Sequence, residues 1–255
     1  MNARTIIITG ASRGIGAAAA RGAAELGANV VLNARSEADL AGVARSISEA
    51  GGKVLVVPGD VSRQDDCVRL VKSAVERFGG LDVVVNNAAI LEPLSSFATS
   101  TPEALERAFA VNVLGPLMLA QAAAVYLRPR KGCIVNVTSV VATLPVSGIG
   151  AYCASKAALN MCNHVLAKEE PELTVIAFDP GMVDTPMQAD LRASAERVMI
   201  PADSAMLIGF HEQGHVQAPD LIGRVLARVA LRAPHEWSGT IVVWNDERAK
   251  GLLDA

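Results

Sequence analysis

The sequence predicts one doubly wound α/β domain, a parallel sheet of about seven strands with helices on both faces. Three observations predict it. Short β-branched runs alternate with longer Ala-rich segments along the whole chain. Each run is continuously apolar, as a strand covered on both faces must be. Glycines and hydroxyl residues punctuate the joins as helix stops and starts. The strands read as Thr5–Thr9, Asn29–Asn33, Lys53–Pro58, Asp82–Asn86, Cys133–Thr138, Thr174–Phe178 and Thr240–Val243. Helical spacing covers Ile15–Leu26, Glu37–Ala50, Gln64–Phe78, Pro102–Val111, Ala151–Lys168 and Pro219–Leu231. Gly27, Gly51-Gly52 and Gly79-Gly80 stand at expected helix C-termini, and Ser36, Ser62 and Thr101 at expected N-caps.

Composition narrows the classes. With 51% hydrophobic and 19% charged residues among 255, the chain is too apolar for disorder and long enough to bury a core without staples. A net charge of −3 without a basic stretch disfavours nucleic acid as partner. The apolar run Ile6-Ile7-Ile8 is too short for a signal peptide, and Pro116–Leu127, broken by Gln121, falls short of a membrane span. Cys67, Cys133, Cys153 and Cys162 form no C-x-x-C pair and read as reduced thiols. A cytoplasmic protein is expected, with no membrane and no metal.

The first strand runs into Thr9-Gly10-Ala11-Ser12-Arg13-Gly14-Ile15-Gly16 and then a helix. Glycines at 10, 14 and 16 allow a tight turn and close backbone approach. The helix N-terminus offers free N–H groups and partial positive charge to a pyrophosphate. Gly10, Ser12, Arg13, Gly14, Ile15 and Gly16 are therefore dinucleotide-cofactor candidates. After the second strand an NAD site commonly carries an acid for the adenosine ribose. Here Leu32-Asn33-Ala34-Arg35-Ser36 has none. Asn33 falls in the site, and Arg35 with Arg13 could clamp a 2′-phosphate, which points to NADP(H).

Tyr152 and Lys156 lie four residues apart on one helix face. A cation near a phenol favours the phenolate, so Lys156 could make Tyr152 a usable acid/base. Ser139 ends the fifth strand, where its hydroxyl can meet a substrate carbonyl beside Tyr152.

Together these motifs resemble the short-chain dehydrogenase/reductase family over nearly the whole chain. Thr9–Gly16, Asp60-Val61, Asn86-Asn87-Ala88-Ala89, Asn112, Ser139, Tyr152/Lys156 and Pro180-Gly181 follow its order and approximate spacing. The resemblance implies Tyr152 as proton donor and Ser139 as orienting hydroxyl. Lys156 would hold the nicotinamide ribose and lower the Tyr pKa, with Asn112 supporting a water relay. It places Asp60 and Val61 around the adenine, Asn86 and Ala88 along the cofactor with Pro180 and Gly181, and Val183 and Thr185 near the carboxamide. It also implies a homodimer or homotetramer built on helices Pro102–Leu127 and Ala151–Lys168. Ala89 departs from the family's usual Gly by one methyl. Pro180–Gln188 and Trp244-Asn245-Asp246 look like the sepiapterin reductase/benzil reductase branch. There an acid at Asp246 can meet a pterin ring, although a solvated acid after the last strand reads equally well.

These residues make an NADPH-dependent carbonyl reductase the leading expectation. A 3-oxoacyl thioester reductase or general alcohol dehydrogenase of the same family stands beside it, and a non-catalytic NADP sensor further off. Residues 1–138 would carry mainly the cofactor and 139–255 the reacting groups, with a substrate loop at 182–215. That loop concentrates Met182, Met187, Met199 and Met206 and breaks the strand–helix rhythm. It could form a short helix whose apolar face, with Met182 and Met187 toward substrate, excludes water and suits hydrophobic ketones or vicinal diketones. His211-Glu212-Gln213-Gly214-His215 spells H-E-x-x-H, the mark of a zinc hydrolase. Gly214 inside the would-be helix and Pro219 soon after favour a chance match. His164 and His235 read as surface or capping residues.

Overall fold

Strands made of Val, Ile and Thr with no polar face have to be covered on both sides, and the chain meets this with two helical layers. The computed structural model describes residues 3–253. Its strands are β1 (Thr5–Thr9), β2 (Asn29–Asn33), β3 (Lys53–Val56), β4 (Val83–Asn86), β5 (Cys133–Val137), β6 (Thr174–Asp179) and β7 (Ile241–Val243). All neighbouring strands pair in parallel, in the order 3-2-1-4-5-6-7. The order reverses between β1 and β4, and the crevice beyond their carboxyl ends is where such sheets bind ligands. This is a single Rossmann-like domain. Pro58, Asp82, Thr138 and Thr240 fall outside the strands, and Asp179 extends β6.

The helices are α1 (Gly14–Glu25), α2 (Glu37–Glu49), α3 (Gln64–Phe78), α4 (Pro102–Phe109), α5 (Gly115–Leu127), α6 (Gly150–Glu169), α7 (Pro186–Val198), α8 (Pro201–Glu212), α9 (Pro219–Arg232) and α10 (Glu247–Gly251). Ser36 and Thr101 cap α2 and α4 by accepting the N–H of Asp39 and Ala104. Arg63, not Ser62, precedes α3, because the Ser62 hydroxyl is committed to Asp60 at 2.6 Å. One layer packs α1, α2 and α9 on Ile6, Ile8, Val30 and Phe178. The other packs α3, α5 and α6 on Ile7, Val84, Ile134 and Val175.

Three expectations need correction. Pro102–Val111 ends as an α-helix at Phe109, because a π-helical turn at Ala110–Leu114 joins α4 to α5. Helix then runs from Pro102 to Arg130, 29 residues, long and apolar enough to cross a membrane by length and composition. Its most apolar window is 56% buried inside the protein, which is the burial of a core helix. The excursion is not one short helix but two, α7 and α8. Each starts with Pro at its first position, and the Thr185 hydroxyl caps α7. The excursion closes at its base, where Gln217 donates to the Met182 carbonyl at 2.8 Å and Asp184 to the Gln217 carbonyl at 2.9 Å.

Helix α1 meets α9 closely because both are small-residue surfaces. A Cβ on Gly223 would lie 2.4 Å from the Ala18 Cβ and 2.5 Å from its carbonyl carbon. Gly42, within α2, has open space around it. Gly223→Ala should therefore cost about 1–3 kcal/mol and lower the melting temperature by several degrees, while Gly42→Ala leaves it level or raises it. Calorimetry of the two variants checks the contrast.

Candidate active site

A cleft of about 690 Å³ opens at the strand carboxyl ends, within the range of small-molecule sites. Its floor is the β1–α1 turn. Gly10 and Gly14 take φ of +64° and +56°, a region only glycine enters without strain. A Cβ on Gly10 would stand 2.9 Å from the Ala88 Cα, and one on Gly16 2.4 Å from the Gly10 carbonyl oxygen. No side chain caps α1 and no acid sits in its first turn, so its N–H groups remain open to an anion. Two buried polar atoms on the cleft wall, Asn33 Oδ1 and Thr138 Oγ1, have no protein partner. A nicotinamide dinucleotide fits this surface: glycines for close approach, a helix N-terminus for pyrophosphate, and polar groups left to satisfy.

The expected cofactor residues divide. Gly10, Ser12, Arg13, Gly14 and Ile15 line the cleft, as do Asn33, Arg35, Asp60, Val61 and Ala88. So do Pro180, Thr185 and Met187 at the lid base. Arg13 and Arg35 are both exposed at the rim. Asn86 does not reach the cleft. It is buried and its amide donates to Asn136 Oδ1 at 2.9 Å, which leaves Asn87 to line the wall. Gly16 lies behind Gly10, and Val183 is 3% exposed within the core. Gly181 lies off the cleft wall and packs against the Trp244 indole, which a Cβ would meet at 2.8 Å.

The end of the cleft expected to take the adenine holds a group that sequence spacing does not reveal. Arg107, from α4, donates to Asp60 Oδ2 at 2.7 Å and to the Ser62 hydroxyl at 2.7 Å, and it lines the cleft. Burial pulls the Asp60 carboxyl upward, but the hydrogen bonds from Ser62 and Arg107 outweigh it and hold it at about 2. Only a fold that crosses 47 residues brings this pair together, so spacing carries no signal for it.

At the other end stand Tyr152 and Lys156, both on the cleft wall. The Lys156 ammonium lies 5.5 Å from the Tyr152 ring centroid and donates to the Val137 carbonyl at 2.6 Å. Lys156 is 2% exposed, and burial pulls its pKa down to about 8, with Asp179 opposing. The expectation that Lys156 lowers the Tyr152 pKa is not met within the protein alone. Burial pushes the phenol up, Asp179 adds to the rise, and Tyr152 remains protonated at neutral pH.

Asn112 is wholly buried in the π-helical turn, a distortion frequent at functional sites. Its amide donates to the Ile90 carbonyl at 2.8 Å and to the Ser155 hydroxyl at 3.0 Å, while its oxygen accepts the Ile90 N–H at 2.9 Å. Ser155 in turn donates to the Tyr152 carbonyl at 2.8 Å. Asn112 thus ties the loop after β4 to the first turn of α6. Ser139 caps the 3-10 turn Val140–Ala142, which packs against α6.

Met182 and Met187 pack with Tyr152, Leu91, Leu191 and Met199 in a separate apolar cluster under the lid. Ser147 fastens this lid by donating its N–H and hydroxyl to Asp203 Oδ2 at 2.7 and 2.6 Å. Asp246 lies elsewhere. It caps α10 and pairs with Arg248 at 2.7 Å, off the cleft wall, so the pterin-contact reading fails. His211 lies in the last turn of α8, and Gly214 at φ +71° follows the helix end before His215, so the two imidazoles do not share a helical face. Among the described residues, no three His, Cys, Asp or Glu gather to hold a metal.

A fold and site of this kind define a nucleotide-dependent oxidoreductase. Residues 4–196 match the short chain dehydrogenase family model, and the chain belongs to that family. It is 34% identical over 251 residues to 3beta-hydroxysteroid dehydrogenase 1 of Eggerthella lenta, covering 94% of this chain and 91% of the relative. A short chain dehydrogenase/reductase of Saccharomyces cerevisiae superposes with a TM-score of 0.92 at 30% identity, over 98% of this chain and 99% of that one. A short chain dehydrogenase of Burkholderia cenocepacia in complex with NADP gives 0.81 at 30% identity, over 95% and 96%. As a member of this family the protein is an oxidoreductase that uses NAD(P)(H).

Proposed function

We propose that the protein is an NADPH-dependent carbonyl reductase acting on hydrophobic ketones or vicinal diketones, in the manner of the sepiapterin and benzil reductases. The observation that carries the reading is the half-buried Tyr152 phenol on the cleft wall, with the Lys156 ammonium 5.5 Å from its ring and an apolar cluster packed against it. When bound, NADPH supplies the hydride. Tyr152 gives its proton to the carbonyl oxygen as charge develops there, and the Lys156 ammonium offsets the phenolate left behind. The Ser139 hydroxyl orients the same oxygen. Met187 on the cleft wall, backed by the apolar cluster of Met182, Leu191 and Met199, disfavours a charged substrate, whose desolvation it cannot repay. The Eggerthella relative, named for a hydroxysteroid, supports a bulky apolar substrate. Tyr152→Phe should lose about 10²–10⁴-fold in turnover. Benzil-like diketones should give a higher kcat/KM than acetoacetyl thioesters, simple alcohols or pyruvate-like keto acids. Full turnover by Tyr152→Phe, or a preference for keto acids, overturns the reading.

The preference for NADPH rests on Arg13 and Arg35. Neither guanidinium has a carboxylate within ion-pair distance among the described residues, and both stand on the cleft rim. The Burkholderia complex with NADP supports it. NADPH should bind at least about tenfold tighter than NADH, with Arg35→Ala removing most of that margin in a fluorescence titration.

The same reading includes a cytoplasmic homodimer or homotetramer with no nucleic-acid, membrane or metal partner. Leu114 and Val125 on the α4–α5 run, and Met161 and Val165 on α6, are exposed apolar side chains on the helices expected to associate. Sedimentation should show a dimer or tetramer that Met161→Asp weakens; a monomeric native chain would remove this part of the proposal.

A further inference from the structure

Asp179 is an acid at the end of an otherwise apolar, wholly buried strand, and the proposed reduction assigns it no role. It is 8% exposed. A carboxylate in that position is costly unless its charge is answered. Strand register brings it to the reacting groups. Val137 pairs with Phe178, so Asp179 comes directly beyond the strand end that holds the Lys156 ammonium. Phe178 points into the core layer of α1 and α9. By the period of two, Asp179 points to the opposite face, where α6 packs.

Two loops of the site close on this carboxylate. Its Oδ1 accepts the Gly181 N–H at 2.9 Å, at the start of the lid. The backbone N–H of Val140, next to Ser139, favours the charged form of the same carboxylate. The charged and titratable groups facing it are Lys156 and Tyr152, both from α6. From β7 it meets backbone, with Trp244 donating its N–H to the Asp179 carbonyl at 2.9 Å.

The geometry points to Asp179 as a positioning residue whose negative charge holds the Tyr152–Lys156 pair in its proton-loaded form while its carboxylate pins the Ser139 and Gly181 loops together. This deepens the reductase reading and rests on it. Burial raises the Asp179 carboxyl, while the Gly181 and Val140 N–H groups and the Lys156 ammonium favour its charged form. The anion opposes formation of the phenolate and favours the ammonium. Both groups therefore lose protons more readily when the charge is removed, and both shifts run toward lower pH.

Asp179→Asn removes the charge and keeps an oxygen to accept the Gly181 N–H. In protein carrying ¹³C at lysine Cε, the Lys156 resonance, assigned with Lys156→Arg, should titrate near 8 in the native chain. It should titrate at least about half a unit lower in Asp179→Asn. The alkaline limb of kcat/KM for ketone reduction should move in the same direction, and Asp179→Glu, which retains the charge, should restore most of its position. An unchanged Lys156 midpoint in Asp179→Asn overturns the proposal. So does an alkaline limb that moves equally in Asp179→Asn and Asp179→Glu, since that is a packing effect. If Asp179→Asn fails to fold, Asp179→Ser carries the same titration. The resonance needs neither cofactor nor substrate, so failure of the reductase reading would appear separately, in Tyr152→Phe turnover.

Discussion

The hydroxyl of Thr9 holds the point where the sheet reverses its strand order. It is 1% exposed, accepts the N–H groups of Asn87 and Ala88 at 3.1 and 3.0 Å, and donates to the Val85 carbonyl at 3.3 Å. The Asn87 amide returns the contact by donating to the Thr9 carbonyl at 2.9 Å. These bonds tie the end of β1 to the loop after β4 at the point where the strand order reverses. A buried backbone group left unpaired there would cost about 1–3 kcal/mol, so the knot satisfies the junction and fixes the crevice at once. The glycines at 10 and 16 are needed because Asn87 stands in the space their side chains would fill.

Burial does opposite things to the two ends of this crevice. At the adenine end an anion is kept charged, since Asp60 has hydroxyl and guanidinium donors directly on it. At the nicotinamide end the phenol of Tyr152 has no such donor and is kept neutral. In the proposed reduction a proton donor must hold its proton until negative charge develops on the substrate oxygen, and the half-buried Tyr152 phenol beside the Lys156 ammonium meets this condition. Met182 and Met187 at the base of the lid pack with Tyr152 in one apolar cluster, so in the proposed reduction the same packing would serve both acidity and substrate choice.

The sheet was legible because every strand except the edge strands β3 and β7 is buried throughout, and burial on two faces writes itself as an unbroken β-branched run. Tyr152, Lys156 and the glycine turn were legible because local spacing sets their geometry. The rest depended on distance in sequence. Arg107 meets Asp60 only through the packing of α4 beside the β3–α3 loop. Asn87 rather than Asn86 faces the crevice because Asn86 is drawn into a buried amide ladder with Asn136 and Asn163. Asp246 was open to two readings because a helix of five residues gives little periodic signal, and its capping role shows only with the Arg248 N–H in place. The excursion looked irregular because Pro186 and Pro201, which start its helices, also read as breaks.

Helix α6 joins the chemistry to the outer surface of the molecule. Its inner face carries Ser155, Lys156, Leu159 and Asn163, all buried, and its outer face carries Met161 and Val165, both exposed. The π-helical turn does the same one helix away, with Asn112 inward and Leu114 outward. An extra residue in a helical turn rotates the later side chains about the axis, which lets Asn112 reach Ile90 and Ser155 while the apolar stripe of α5 keeps its register outside. Loss of the Asn112–Ser155–Tyr152 chain would free the first turn of α6, and with it the orientation of the Tyr152 phenol on the cleft wall. A surface contact that stiffens α6 and α5 from outside acts on the same turn. The exposed apolar stripe and the inner hydrogen-bond chain to Tyr152 therefore share two helices.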